Sequence, residues 1–265
     1  PKISDFEFDA LMNELIDLEA THPDWLDPLS PTKRVGGGLI EGFETIKHNH
    51  PMLSLSNTYS RHDLIEFDKR VRKILLEDLV QYTCELKYDG VAISLLYENG
   101  LLKRGVTRGD GIYGDDVTEN IKTIKSIPLK LFGDFPSFLE VRGEIFINKH
   151  VFNRINNDRE VKRVSLEQEY YNFQNRQESE DSKKIEKQYL SEIKKLEKYS
   201  NPRNFASGSL KLLDSKKVSK RNLKGVVYAL HSDSLPYNTH DQNLLKAQTW
   251  GFNISKHIQV CNNVD

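Results

Sequence analysis

The run Glu85-Leu86-Lys87-Tyr88-Asp89-Gly90 sets three ionisable side chains at alternate positions. On a β-strand that spacing puts Glu85, Lys87 and Asp89 on one face. Three charges on one strand face suit a reactive site better than a core. A lysine attacks as a nucleophile only in its neutral form. Neighbouring carboxylates favour the charged form, whereas burial or a neighbouring cation opposes it. Glu85 and Asp89 alone would therefore hold Lys87 charged, and an arginine or a metal ion must offset them. Arg108 is the candidate, because a hairpin would return Thr107-Arg108-Gly109-Asp110-Gly111 beside the first strand. Gly90 permits a sharp turn and lets a ligand approach the backbone. The pattern Lys-x-Asp-Gly is short, and an exposed strand bearing a salt bridge would also carry it.

The elements around this run follow from periodicity. Val80–Lys87 and Val91–Tyr97 read as strands, with Glu98-Asn99-Gly100 as a hairpin turn before Leu101–Thr107. Phe138–Ile147 and Val226–Leu230 read as further strands. Asp5–Ala20 is predicted helical, with Phe8, Leu11, Met12, Leu15 and Leu18 as an apolar stripe and Ser4 or Asp5 as the cap. His22-Pro23 ends it, and a proline- and glycine-rich stretch to Gly38 joins it to a larger body. Arg61–Glu77 is a second helix, with Leu64, Phe67, Val71, Ile74 and Leu75 on one face. The segment 160–199 is rich in Lys, Glu, Gln and Ser. It reads as one or two exposed helices in a charged surface insertion, a contact for a partner or DNA being the lesser reading. Helices first and hairpins afterwards indicate an α+β fold rather than a doubly wound sheet.

Composition narrows the class. The 265 residues are 37% hydrophobic, enough for a sizeable core, and the formal net charge of −1 advertises neither nucleic acid nor a membrane surface. DNA would have to meet a local patch. The two cysteines, Cys84 and Cys261, are isolated in sequence. They suggest neither a disulfide framework nor a zinc site, which suits a reducing cytoplasm. No apolar run is long enough to span a bilayer. The chain starts at Pro1 without Met and reads as a cut from something longer.

Several further blocks occur in order around Lys87. His50-Pro51-Met52-Leu53-Ser54-Leu55-Ser56-Asn57 precedes it. Arg108-Gly109-Asp110-Gly111, Gly114-Asp115-Asp116-Val117-Thr118-Glu119-Asn120, Val141-Arg142-Gly143-Glu144 and Asn201-Pro202-Arg203-Asn204-Phe205-Ala206-Ser207-Gly208-Ser209-Leu210 follow. Together these blocks resemble bacterial NAD-dependent DNA ligases over nearly the whole chain, apart from the charged insertion.

The resemblance implies a nucleotidyltransferase (adenylation) domain of mixed, largely antiparallel sheets with flanking helices over 43–265. A small helical cap that recognises NMN would precede it over 1–42. It implies that Lys87 attacks the α-phosphorus of NAD, that NMN leaves, and that the AMP passes to a DNA 5′-phosphate for nick sealing in replication and repair. Such chemistry rests on positioning and on charge stabilisation by cations and Mg²⁺. Asp89 would orient Lys87 or help place Mg²⁺. Ser54 and Leu55 would lie near the nucleotide, with at least two of Met52, Leu53 and Leu55 in the core. Glu85 would sit at the adenine side, and Arg108 at the ribose or phosphate. Glu144 would hold the ribose or lie near the metal; alternatively it is a cross-strand partner of Arg142. Arg203, at a helix start, would reach a phosphate of DNA or cofactor. Asp5-Phe6-Glu7-Phe8-Asp9 resembles the NMN-recognition segment. Asp5, Phe8 and Asp9 share a helix face, where carboxylates meet the cationic nicotinamide or its ribose and an aromatic ring stacks. Phe8 stands where the family usually has tyrosine, so stacking is kept and a hydroxyl bond is lost.

The family's Tyr-His or tyrosine pair is expected upstream. Its Asp-Gly-Val-Val-x-Lys strand and a further lysine strand are expected downstream, so the pocket in this chain lacks its C-terminal strands. The resemblance further implies a monomer in the cytoplasm that binds NAD and nicked duplex DNA, the DNA only weakly through this domain. Two other readings share the lysine motif: an ATP-dependent covalent nucleotidyltransferase, which would lack the Asp5–Asp9 cap, and a fragment that binds NAD or DNA without turnover.

Overall fold

The computed structural model describes residues 5–25, 27, 30–32, 42–175 and 182–264. The elements in chain order are α1 (Asp5–Thr21), β1 (Thr45–Lys47), α2 (Arg61–Leu75), β2 (Tyr82–Glu85), β3 (Val91–Glu98), β4 (Leu101–Thr107), β5 (Tyr113–Asp115) and α3 (Thr118–Lys122). They continue with β6 (Phe138–Phe146), α4 (Lys149–Gln174), α5 (Ser182–Lys195), α6 (Pro202–Leu210), α7 (Ser215–Ser219), β7 (Lys224–His231), α8 (His240–Thr249) and β8 (Ile258–Cys261). This is the α+β class, and among the described residues these strands pair with one another antiparallel throughout, with one isolated parallel bridge from Val227 of β7 to Ile254.

The central sheet has the order β4-β3-β6-β7. Its inner strand β6, FLEVRGEIF, is buried along most of its length, as a strand covered on both faces must be. Ile93, Leu95, Tyr97, Leu139, Val141 and Ile145 form the middle of the core. Phe205 and Leu210 of α6, and Leu244 and Ala247 of α8 with the adjoining Trp250, pack against them. The Tyr97 hydroxyl donates to the Pro128 carbonyl at 2.7 Å and the Trp250 indole to Asp134 at 2.6 Å, so neither aromatic leaves a polar atom stranded in the core. The turn at Asn99-Gly100 has both residues at positive φ, the conformation that a two-residue hairpin requires and that these residue types tolerate.

Two small sheets flank the central one: β1 with β5, and β2 with β8. Helix α2 opens with a capping box in which Ser60 and Asp63 exchange bonds, and stops at Leu76, which is left-handed at φ 58°. It docks on β2. The Tyr82 hydroxyl donates to Asp68 at 2.7 Å, Arg72 lies 2.8 Å from the same carboxylate, and Phe67 packs near Tyr82. A buried aspartate is tolerable because both partners reach it. Among the described residues, no helix is long and apolar enough to cross a membrane.

Four expectations change. The helix over Asp5–Thr21 forms, but within its apolar stripe Leu11 and Leu18 are exposed and Met12 and Leu15 only half-buried, and among the described side chains of the helix the buried one is Glu19, to which Thr32 donates at 2.5 Å. Capping by Ser4 or Asp5 lies outside the described residues. Only Met52 of Met52, Leu53 and Leu55 is core; the other two are more than three-quarters exposed. The segment 160–199 holds the two exposed helices expected of it, α5 and the later part of α4, but its start shifts, because α4 begins at Lys149, anchors Val151 and Phe152 in the body, and runs unbroken through residue 160. α5 packs back on it through Tyr189 against Tyr170 and Phe173, both 5.7 Å away.

The fourth change concerns the strand carrying the chemistry. β2 stops at Glu85, where its pairing with β8 ends at Ile258. Residues 86–89 are irregular, so Glu85, Lys87 and Asp89 do not share a strand face. β2 and β3 are not paired with each other: β3 lies between β4 and β6, and the chain crosses between sheets at this point.

Candidate functional site

The crossing from β2 to β3 is held by Gly90. Its N–H donates to Glu144 Oε1 at 3.1 Å, and a Cβ there would lie 2.1 Å from the Ile145 carbonyl oxygen. Gly90 is absent from the positive-φ residues, so glycine is needed for the close approach of β6, not for a left-handed turn. The same contact puts Glu144 beneath the segment that carries Lys87.

Arg203 closes the arrangement. Asn201 caps α6 by accepting from the Asn204 N–H at 2.7 Å, and Pro202 occupies the first turn, where its missing N–H costs nothing. From the next position, Arg203 Nη1 reaches Asp89 Oδ1 at 3.0 Å and Glu144 Oε1 at 4.0 Å. Burial raises the Glu144 carboxyl above the ordinary carboxylate range. Arg203, Lys87 and the Gly90 N–H pull the other way, while the Asp89 charge adds to the rise.

Lys87, Glu144 and Arg203 border a cleft of about 610 Å³, whereas Asp89 stands outside its lining, and the volume is within the span of small-molecule sites. Glu85, Lys87, Arg108, Glu144 and Arg203 line it, as do Ser54 and Leu55. The 48–55 stretch arrives there because the Arg108–Gly111 loop grips it. Met52 N–H donates to the Gly111 carbonyl at 2.8 Å and His48 N–H to the Ile112 carbonyl at 2.9 Å. Gly109 and Gly111 are both at positive φ in that loop.

The expected pairings differ in detail. Arg108 lies beside the start of β3, its N–H donating to the Ala92 carbonyl, and not beside β2. The cation at Asp89 is Arg203, and the group at Glu85 is His240, 2.8 Å away at the first position of α8. Arg142 pairs with Glu140 at 3.4 Å, not with Glu144, and donates to the His50 carbonyl at 2.8 Å. Glu140, Arg142 and Glu144 alternate onto one face of β6, and Glu144 is already engaged by the Gly90 N–H.

A bulge in β7 supplies a residue that sequence reading passed over. Arg142 pairs with Ala229 and Gly143 with Val227, which leaves Tyr228 as the extra residue of β7, at the cleft. Burial, then the Glu144 charge, raises its phenol above the ordinary tyrosine range. His231 was also missed. It lines the cleft, stacks on His50 with ring centres 5.6 Å apart, and its Nε2 is buried without a hydrogen-bond partner. Burial, then Arg142, lowers its imidazole below the ordinary histidine range. No periodicity marks a bulge or an orphaned nitrogen, so neither residue had a signal in sequence.

Asp5, Phe6, Glu7, Phe8 and Asp9 all lie in α1. Glu7 is exposed; the side chains of the other four fall outside the described residues, so their shared face is not described. The donor set around Glu144 does not fit a protein-held Mg²⁺. Glu144 Oε1 already receives the Gly90 N–H, Asp89 is taken by Arg203, and no group of three or more His, Cys, Asp or Glu converges among the described residues.

A mixed α+β body with a lysine and three arginines facing a cleft of nucleotide size has the make-up of a nucleotidyltransferase adenylation domain. Residues 40–180 and 177–265 match the family model for the NAD-dependent DNA ligase adenylation domain, and residues 1–36 match that for the DNA ligase-like N-terminal NAD+-binding domain. The chain belongs to the NAD-dependent DNA ligase adenylation domain family. It is 44% identical over its whole length to a DNA ligase of Flavobacterium psychrophilum, covering 35% of that protein. It is 46% identical to a DNA ligase of Bacteroides fragilis, with 98% of this chain and 34% of the relative aligned. The chain thus spans about a third of the length of the curated relatives it matches.

Proposed function

We propose that this chain is the part of a DNA ligase that takes AMP from NAD. The Lys87 amine attacks the α-phosphorus of NAD. An N–P bond forms, the P–O bond to NMN breaks, and NMN leaves with the electron pair while Lys87 gives up a proton. The lysine-bound AMP then passes to the 5′-phosphate of a DNA nick, and the adjacent 3′-hydroxyl displaces it.

The observation that carries this reading is the convergence of Lys87 with Arg108, Arg142 and Arg203 on one cleft. Three cations lining one cleft with an amine, two of them held by carboxylates, suit a transferring phosphoryl group, whose charge must be met by preorganised donors. Met52, Val226 and Val227 supply apolar wall beside Tyr228, as a base would require. Glu85 is the adenine-side residue and Glu144 the ribose-side residue of this reading, with Ser54 and Leu55 bordering the nucleotide. Asp89, held by Arg203, positions the Lys87 segment. Arg203 is also the residue available to a phosphate. Asp5, Phe6, Glu7, Phe8 and Asp9 belong to an NMN-recognising cap over 1–42, ahead of the adenylation domain over 43–265. We place the protein in the cytoplasm as a monomer, with nicked duplex DNA as partner.

Intact mass after incubation with NAD and Mg²⁺ tests the reading. In the chain extended to the length of its relatives, an AMP adduct is expected on the wild type and none on Lys87→Ala. An adduct that persists in Lys87→Ala overturns the assignment. The 265-residue chain by itself is expected to form little adduct.

A further inference from the structure

Cys84 and Cys261, isolated by 177 positions in sequence, meet in the fold. The β2–β8 register sets Tyr82 opposite Cys261 and Cys84 opposite Gln259. Residues two apart on a strand point to one face, so both thiols stand on the same face, diagonal to each other. The Cys261 thiol donates to Cys84 Sγ at 3.6 Å. Both are free, Cys84 exposed and Cys261 half-buried.

A disulfide needs the sulfurs at about 2.05 Å, so they must close by about 1.5 Å, a movement on the scale of side-chain rotation. The scaffold can accommodate it, because β2 and β8 form a separate two-stranded sheet, which is softer than a strand locked between neighbours. Exposure of Cys84 admits a small reagent.

We propose that Cys84 and Cys261 are a redox pair that closes to an intramolecular disulfide by exchange with a small-molecule disulfide, tying β2 to β8 beside the cleft. One thiolate attacks a sulfur of the reagent, the reagent's S–S bond breaks, and its first half leaves as a thiolate. The second cysteine thiolate then attacks the protein sulfur of the mixed disulfide and expels the second half. The two cysteines are oxidised, and one reagent disulfide is reduced to two thiols. Glu85, the next residue along β2, lines the cleft and contacts His240, so the bridge would fasten the strand that leads to Lys87. The inference rests on thiol geometry and stands or falls separately from the ligase reading.

The reduced 265-residue chain is equilibrated with glutathione mixtures of rising oxidised fraction, quenched in acid, alkylated and weighed intact. The expected wild-type product has lost two hydrogens and both alkylatable thiols, carries no glutathione, migrates as a monomer without reductant, and reverts in dithiothreitol. Cys84→Ser and Cys261→Ser should each accumulate at least tenfold more mixed glutathione disulfide than the wild type. The same wild-type comparison in denaturant should lose its preference for the bridge at least tenfold, which tests the idea even if a serine variant folds poorly. Glutathione adducts on the native wild type at the level of the single variants overturn the pair. A disulfide between two chains does so as well.

Discussion

Arg203 Nη1 stands 3.0 Å from Asp89 Oδ1 and so ties the first turn of α6 to the segment that carries Lys87. The pair is half exposed on one side and three-quarters exposed on the other, so its weight in stability is slight, below about 1 kcal/mol. Its weight in positioning is larger, because residues 86–89 belong to no strand and have no ladder to hold them. Arg203→Ala should therefore leave the urea midpoint nearly unchanged while slowing AMP-adduct formation by about tenfold or more, as removal of a positioning cation does. Equal losses in stability and in adduct rate would assign Arg203 a merely structural part.

Glu144 predicts a pH signature. Its carboxyl is raised above the ordinary value of 4.5, chiefly by burial. The folded state therefore holds the proton more tightly than the unfolded chain. The stability from this protonation is fully present below the unfolded value and is lost as pH rises through the folded one. Glu144→Gln cannot lose it. The stability of Glu144→Gln relative to wild type should climb as pH rises from about 4.5, and level off above the folded value. Denaturant unfolding at a series of pH values measures the difference, and a flat difference across that window contradicts the assignment.

Gly90→Ala should destabilise the fold by about 1 to 3 kcal/mol, the usual cost of overpacking. The added methyl meets the Ile145 carbonyl at 2.1 Å, a backbone atom of the central sheet that cannot swing away. Displacement also breaks the Gly90–Glu144 bond, so nucleotide affinity should fall with stability. A variant of wild-type stability in urea would mean that β2 and β3 join differently.

In the proposed reading, the cap segment carries the choice of NAD. Asp5→Ala with Asp9→Ala should weaken the reaction with NAD by about tenfold or more, near 1.4 kcal/mol or above. Passage of a preformed lysine-bound AMP to nicked DNA should be unaffected, since NMN has already left. Replacing labelled NAD by labelled ATP in the wild type should yield no adduct; preference for ATP would refute the NAD reading.

Much of the lining of the candidate site was legible because its residues cluster in short ordered blocks. Lys87, Glu85, Arg108, Glu144 and Arg203 come from separate stretches of sequence, yet all border one cleft. What was misread were their partners. Alternation placed Glu85, Lys87 and Asp89 on one face because it assumed that the strand continued. The β2–β8 ladder instead ends at Ile258, and the chain bends at Gly90 to join another sheet. Arg108 was assigned to offset the carboxylates from its place on the hairpin, whereas Arg203 does so from a helix 114 positions beyond Asp89. Local pattern carries no information about such a pairing.

The sequence by itself determined the α+β class, the hairpin at Asn99-Gly100, the lysine motif and its family. Each depends on local periodicity, turn chemistry or an ordered set of short blocks. The tertiary structure alone decided that Asp89 answers to Arg203, that a bulge aims Tyr228 at the cleft, and that Cys84 meets Cys261. Those depend on strand register and on packing between distant segments, which are set only when the whole core closes.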